Sequence, residues 1–229
     1  MQKTKKLFNT RTLVILALIS AIAFVLAAVV RFPVLPGPIL LRYDPKDIVI
    51  VIGGFLFGPL AAFAVTVVVA FTEMITVSQN GPWGFLMNVI SGSAFACTAS
   101  FIYSKRRTLG GAIVGLALGT LTMTAVMMLW NYIVVPLYMP HVTQEFVLNY
   151  LFVFFAPFNL FNGIVNSSLA LLLYKPVTTG LRKSGLLPAP PKQEGKKKIF
   201  SPGVIAVSVF LIVTAVLWSL AMQGVWPFN

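Results

Sequence analysis

Charged residues are so sparse along this 229-residue chain that they fence off long stretches holding none at all. Nineteen residues lie between Arg11 and Arg31, 25 between Asp47 and Glu73, and 31 between Glu73 and Lys105. A further 37 separate Arg107 from Glu145, 29 separate Glu145 from Lys175, and 31 follow Lys198. A membrane-crossing helix takes about 20 apolar residues, because the hydrocarbon is roughly 30 Å thick and a helix rises about 1.5 Å per residue. Each stretch is therefore long enough for a span. Charged residues make up 10% of the chain against about 25% in soluble domains, too few to cover a fold in water. An ordinary cytosolic enzyme, a disordered chain and a secreted disulfide scaffold are excluded, the last because Cys97 has no second cysteine to pair with.

The stretch behind "KTKK" has an apolar run longer than the roughly 7–15 residues of a signal peptide, so it reads as a retained first helix. The segment "IVIVIGGFLFGPLAAFAVTVVVAF" (48–71) is long enough for one span, but "FGPL" interrupts it. Pro59 has no N–H and disfavours helix at Gly58. Two antiparallel helices over 46–57 and 59–77 are the other reading. Cations collect on the cytoplasmic side of membrane proteins. Six spans with the N-terminus inside put 14 of the 17 Lys and Arg on that side, and five spans with it outside put 13 there. Charge alone barely separates the two, and the basic N-terminus favours six. The formal net charge of +12 thus orients the chain, and nucleic acid is not needed to explain it. Residues 182–200 are rich in Pro, Gly and Lys and read as a cytoplasmic linker. Residues 201–223 form one more span, appended to the core, with Trp226 near its far interface.

The sequence has no nucleotide-binding GxxxxGK[ST], no HExxH, no CxxC and no GxSxG, and so no recognisable catalytic constellation. His141 reads as a loop histidine and Cys97 as a small packing residue. Polar groups at membrane depth are more informative, since each must find a partner or water. Asn88, Asn131, Asn159, Asn162 and Asn166 fall in or at the ends of the helices, and the last three share one helical face at i, i+3 and i+7. Two readings stand side by side: hydrogen bonds between helices, or a cavity for a neutral ligand. Trp83, Phe85, Met87, Trp130, Tyr132, Tyr138, Phe155, Phe158 and Phe161 lie near these amides, and those within a turn of them are placed to sandwich a planar ring. Glu73 reads as a snorkelling interfacial carboxylate rather than a ligand acceptor. The proline-rich segment 31–47 is a stiff outside loop, either a connector or a lid, with Tyr43 and Asp44 at its end. Ala17/Ala21 and Ala23/Ala27 form small-residue ridges that permit close helix approach.

Taken together, "LRYDPKDIVIVIGGFLFGPLAA", "GPWGFLMN", "MTAVMMLWNYIVVPLYM" and "PFNLFNG…LLLYKPV" resemble the riboflavin-specific substrate-binding (S) component of energy-coupling factor transporters over residues 8–182. The resemblance implies an all-α membrane protein: a six-transmembrane-helix bundle (12–181), here with an appended C-terminal transmembrane helix. It favours two helices around "FGPL". It further implies a multi-pass protein of a prokaryotic plasma membrane, with residues 1–11 cytoplasmic and the 31–47 loop gating from outside. No cofactor is implied; riboflavin is the transported ligand. The implied partners are a transmembrane coupling protein and two ATPase subunits, so the chain itself is not an enzyme. Carried over by motif, Asn131 and Asn159 hydrogen-bond the isoalloxazine, Leu41, Tyr43 and Asp44 close over the ligand, and Phe85, Met87 and Asn88 line the pocket. The Ala17/Ala21 ridge faces the coupling protein. Asn162 stands where the family often carries Lys, which keeps a hydrogen bond to a flavin carbonyl but brings no positive charge. The seventh helix lies outside the family pattern.

Overall fold

The computed structural model describes residues 9–35, 41–78, 80–139, 142–186 and 202–225. His141, Trp226, the 36–40 part of the proline-rich loop and most of the basic linker lie outside the described residues. Helix α1 (Thr10–Val29) starts at Asn9, whose side chain accepts from the Arg11 N–H at 3.3 Å. It buries Ile15, Ile19, Ala23 and Ala27 in one stripe, the i+4 row of a helix. Ala17 and Ala21 face away from the bundle and are exposed.

A two-stranded antiparallel hairpin follows, β1 (Phe32–Leu35) and β2 (Leu41–Tyr43). The ladder pairs Pro33 with Arg42 but Leu35 with Leu41, so Val34 is the extra residue of a bulge. Helices α2 (Lys46–Phe57) and α3 (Pro59–Thr76) turn at Gly58, whose φ of 98° suits glycine, with Pro59 in the first turn of α3. The "FGPL" break is thus a helical hairpin, not one interrupted span. With 12 residues, α2 is only ~18 Å long, and nine of its side chains or glycines are buried at the centre of the bundle.

Helix α4 (Gly81–Lys105) and α5 (Leu109–Tyr138) complete the middle, α5 capped by the Thr108 hydroxyl accepting from the Gly111 N–H at 3.1 Å. Helix α6 (Gln144–Tyr150) runs through a π turn (Leu151–Phe155) into α7 (Ala156–Lys183). The Ala156 N–H reaches back five residues to the Leu151 carbonyl. Pro157, which has no N–H, follows at once, and the wider turn absorbs that missing donor. Gly163 lets α7 meet α5, since a Cβ there would collide with Thr120. Helix α8 (Pro202–Val225) packs on α7 and β1.

Six of the described helical segments are long and apolar enough to cross a membrane: 10–29, 59–76, 81–105, 109–138, 144–183 and 202–220. Large apolar side chains such as Leu18, Ile22, Phe71, Leu121 and Phe210 point outward, as lipid rather than water requires. With α2, the chain is a helical membrane bundle of six core helices and one appended helix, plus the small hairpin. Among the described residues, the hairpin is the one departure from an all-α reading.

Candidate functional site

At the hairpin end, the bundle encloses a cavity of about 630 Å³, within the roughly 300–1,000 Å³ usual for small-molecule sites. It has two dissimilar walls. One is built by the hairpin with α2, α3 and α4, the other by α5, the π turn and α7.

The first wall is ionic. Because α2 and α3 fold back on one another, Lys46 at the start of α2 meets Glu73 near the end of α3. The Lys46 ammonium donates to both Glu73 carboxylate oxygens, at 2.9 and 3.1 Å, and to Asp44 Oδ2 at 3.2 Å. Arg31 Nη2 lies 3.3 Å from Glu73 Oε1 and 3.9 Å from Asp44 Oδ2, and Asn88 Nδ2 donates to Glu73 Oε2 at 2.7 Å. Glu73 is wholly buried. It is neither the snorkelling carboxylate expected nor a residue of the lining, because two cations and an amide hold it inside the bundle. Next to it, Asp47 lines the cavity with its buried Oδ1 unpartnered among the described residues.

The second wall is amide and aromatic. Asn131, Asn159 and Asn162 line the cavity with Phe155, Phe158, Tyr138 and Met127. Asn159 Nδ2 donates to the Phe155 carbonyl at 2.8 Å, which leaves the Asn159 amide oxygen as an acceptor. Asn162 gives its oxygen to Asn166 Nδ2 at 2.9 Å, which leaves its NH₂ as a donor. Asn131, nearly buried, makes no side-chain hydrogen bond among the described residues. Asn166 is different: the Tyr43 hydroxyl donates to its oxygen at 2.8 Å, so both its ends are used inside the fold. Asn88 is the amide that bonds from one helix to another, Asn166 is used by the hairpin and its own helix, and Asn131, Asn159 and Asn162 border the cavity.

Of the nine pocket residues expected from sequence, Leu41, Asp44, Met87, Asn88, Asn131, Asn159 and Asn162 lie round the cavity. Tyr43 and Phe85 are not on its lining. Tyr43 is buried edge-on to Phe161, at 6.0 Å between centroids, and bound to Asn166. Its burial, and then Asp47 and Asp44, hold the phenol pKa above its ordinary value, so it stays a proton donor. Phe85 meets Phe71 edge-to-face at 6.3 Å. Trp83 stacks on Tyr138 at 5.7 Å, behind the lining. Sequence reasoning missed the charged residues Arg31, Arg42, Lys46 and Asp47 as cavity residues. For Lys46 and Asp47 the signal was there in the charges at the two ends of the 48–72 stretch, which a helical hairpin must bring together.

These features define a multi-pass helical membrane protein whose described residues surround a cavity of small-molecule size, lined by both polar and apolar groups. Residues 11–174 match the family described as ECF transporter, substrate-specific component, and the chain belongs to that family. It is similar to Riboflavin transporter RibU of Staphylococcus aureus (strain TCH60), 33% identical over 180 residues, 76% of this chain and 94% of that protein. Riboflavin transporter FmnP of Bacillus subtilis (strain 168) is 32% identical over 166 residues, 69% of this chain and 86% of that protein. A solved structure described as "Structure and mechanism of the S component of a bacterial ECF transporter" aligns with a TM-score of 0.61 at 33% identity, over 74% of this chain and 96% of that one. The family match ends before α8.

Proposed function

We propose that this chain captures riboflavin in the 630 Å³ cavity and delivers it inward as the S component of an ATP-driven transporter. The observation that carries the reading is the spare hydrogen-bonding capacity of the second wall. An isoalloxazine edge offers carbonyl oxygens and an imide N–H. Asn159 offers an acceptor, Asn162 a donor, and Asn131 both. Phe155 and Phe158 supply apolar faces for the ring. A neutral ligand suits this wall, since an unpaired charge placed against amides and phenyl rings is costly to desolvate.

The ionic wall adds a preference. Arg31, Arg42 and Lys46 are matched by Asp44, Asp47 and Glu73, so the phosphate of FMN meets no net positive charge and FMN binds more weakly than riboflavin. The cavity faces outward in a prokaryotic plasma membrane, with the N-terminus cytoplasmic, and Leu41 and Asp44 on the hairpin close over the ligand. The chain has no nucleotide motif, so ATP hydrolysis falls to two ATPase subunits joined through a transmembrane coupling protein. The exposed Ala17/Ala21 ridge of α1 is flat enough for that protein's helix to approach closely.

Titrating purified protein into riboflavin tests the reading. Saturable quenching of flavin fluorescence at nanomolar protein, weaker with FMN, supports it, and no quenching with either flavin defeats it. Ala17→Trp is expected to abolish copurification with the coupling protein while quenching is unchanged; copurification that survives sinks the α1 assignment.

A further inference from the structure

Helix α8 lies beyond the family match, yet it does not stand apart from the site. The Ser219 hydroxyl donates to the Val34 carbonyl at 2.7 Å. Val34 is the bulged residue of the hairpin, and a bulge takes a residue out of the regular strand ladder. Both partners are buried, Ser219 at 7% and Val34 at 0% exposure. The adjacent Trp218 packs on Phe161 at 6.1 Å between ring centroids. Phe161 meets Tyr43 edge-on, and Tyr43 meets Phe32 at 5.2 Å. A row of rings thus runs from α8 through α7 to both strands of the hairpin.

The hairpin carries Leu41 and Asp44 into the cavity lining, and besides the packing of Val34 in the core its described contacts include three polar attachments. Arg31 and Asp44 fasten its feet to Glu73 and Lys46. Tyr43 fastens β2 to Asn166 on α7. Ser219 fastens β1 to α8. The first two attachments belong to the core bundle, the third to the appended helix alone. We infer that α8 is a latch on the hairpin: Ser219 and Trp218 are positioning residues that hold β1, and through it the strand carrying Leu41 into the cavity lining, and set how fast ligand leaves. This rests on the riboflavin reading above for the identity of the ligand, but not for the existence of the latch. The physical logic is simple. Ligand escape requires the hairpin to lift, lifting it breaks the Ser219 bond, and the loss of that buried bond raises the energy of the open state.

Two measurements on the full chain test it. The first needs no ligand: hydrogen–deuterium exchange of the amides in 31–44, in unaltered protein, Ser219→Ala and Ser219→Thr. Exchange is expected to rise about fivefold in Ser219→Ala, the factor that a buried hydrogen bond of typical net strength supports, and to return towards the original rate in Ser219→Thr, which restores the hydroxyl. Exchange in α4 and α5 stays unchanged. The second is the riboflavin dissociation rate by stopped-flow fluorescence, expected to rise about fivefold in Ser219→Ala and further in Trp218→Ala. Unchanged hairpin exchange in Ser219→Ala overturns the latch. So does faster exchange accompanied by an unchanged dissociation rate. Should the unaltered chain not bind riboflavin, the reading of the ligand falls, and the latch is decided by the exchange rates alone.

Discussion

The two walls of the cavity carry different polar groups, charges on one and amides on the other, and leave them in different states. On the hairpin side, Lys46, Arg31 and Asn88 converge on Glu73 at 2.7 to 3.3 Å, so the Glu73 carboxylate is fully paired, while Asp47 keeps one buried oxygen without a partner among the described residues. On the α5–α7 side, Asn131, Asn159 and Asn162 keep donors or acceptors with no partner among the described residues. Buried ions cost several kcal/mol each to desolvate unless paired, so a wall of charges must close on itself before the fold is stable. Amides are cheaper to leave incomplete, and incompleteness is what a ligand needs. The ionic wall therefore holds the hairpin in place, and the amide wall keeps hydrogen-bonding capacity that the proposed ligand would use.

That division can be broken most forcefully at Glu73. Glu73→Ala removes the buried carboxylate shared by Arg31 and Lys46 and leaves the two cations only Asp44, a loss of about 3–5 kcal/mol for a broken buried pair. Thermal unfolding in detergent should show a fall in melting temperature of roughly 10 °C; a melting curve superimposable on the original would mean the ionic wall is not structural. Tyr43→Phe comes next. It strips Asn166 of its side-chain donor at that oxygen, a loss of about 1–3 kcal/mol, read as a smaller drop in the same unfolding measurement. Equal stability of Tyr43→Phe would move Asn166 from the structural amides to those free for ligand.

Asn131→Ala probes the other wall. Removing an amide that lines the cavity and has no side-chain partner among the described residues should weaken riboflavin binding about tenfold, near 1.4 kcal/mol, with the melting temperature of the ligand-free protein unchanged. Unaltered affinity would remove Asn131 from the flavin contacts. The smallest effect is expected at Phe85, which packs on Phe71 off the cavity. Phe85→Leu should shift affinity by less than about twofold, and a larger loss would extend the binding wall onto that face of α4.

Much of this architecture is legible in the sequence alone. Charge-free lengths identify the bilayer as solvent and place the spans, because hydrocarbon thickness converts directly into a residue count. Gly58–Pro59 marks the α2–α3 turn through purely local backbone chemistry. The i, i+3, i+7 spacing puts Asn159, Asn162 and Asn166 on one face, and the motifs around Asn131 and Asn159 point to the family. What is not legible is which amide does which job. Asn162 and Asn166 are one turn apart and chemically identical. One faces the cavity and the other is closed off by Tyr43, a residue 123 positions away.

By itself, then, the sequence determined the solvent, the helices, the break between α2 and α3, and the stock of amides and rings. These follow from composition and short-range periodicity, which need no knowledge of neighbours in space. Only the tertiary structure decided that Lys46 meets Glu73 across 27 positions and that Ser219 reaches Val34 across 185. A charge or a hydroxyl in a bilayer must be satisfied somewhere, but packing chooses the partner. That choice separates the wall that holds the fold together from the wall left open for a ligand.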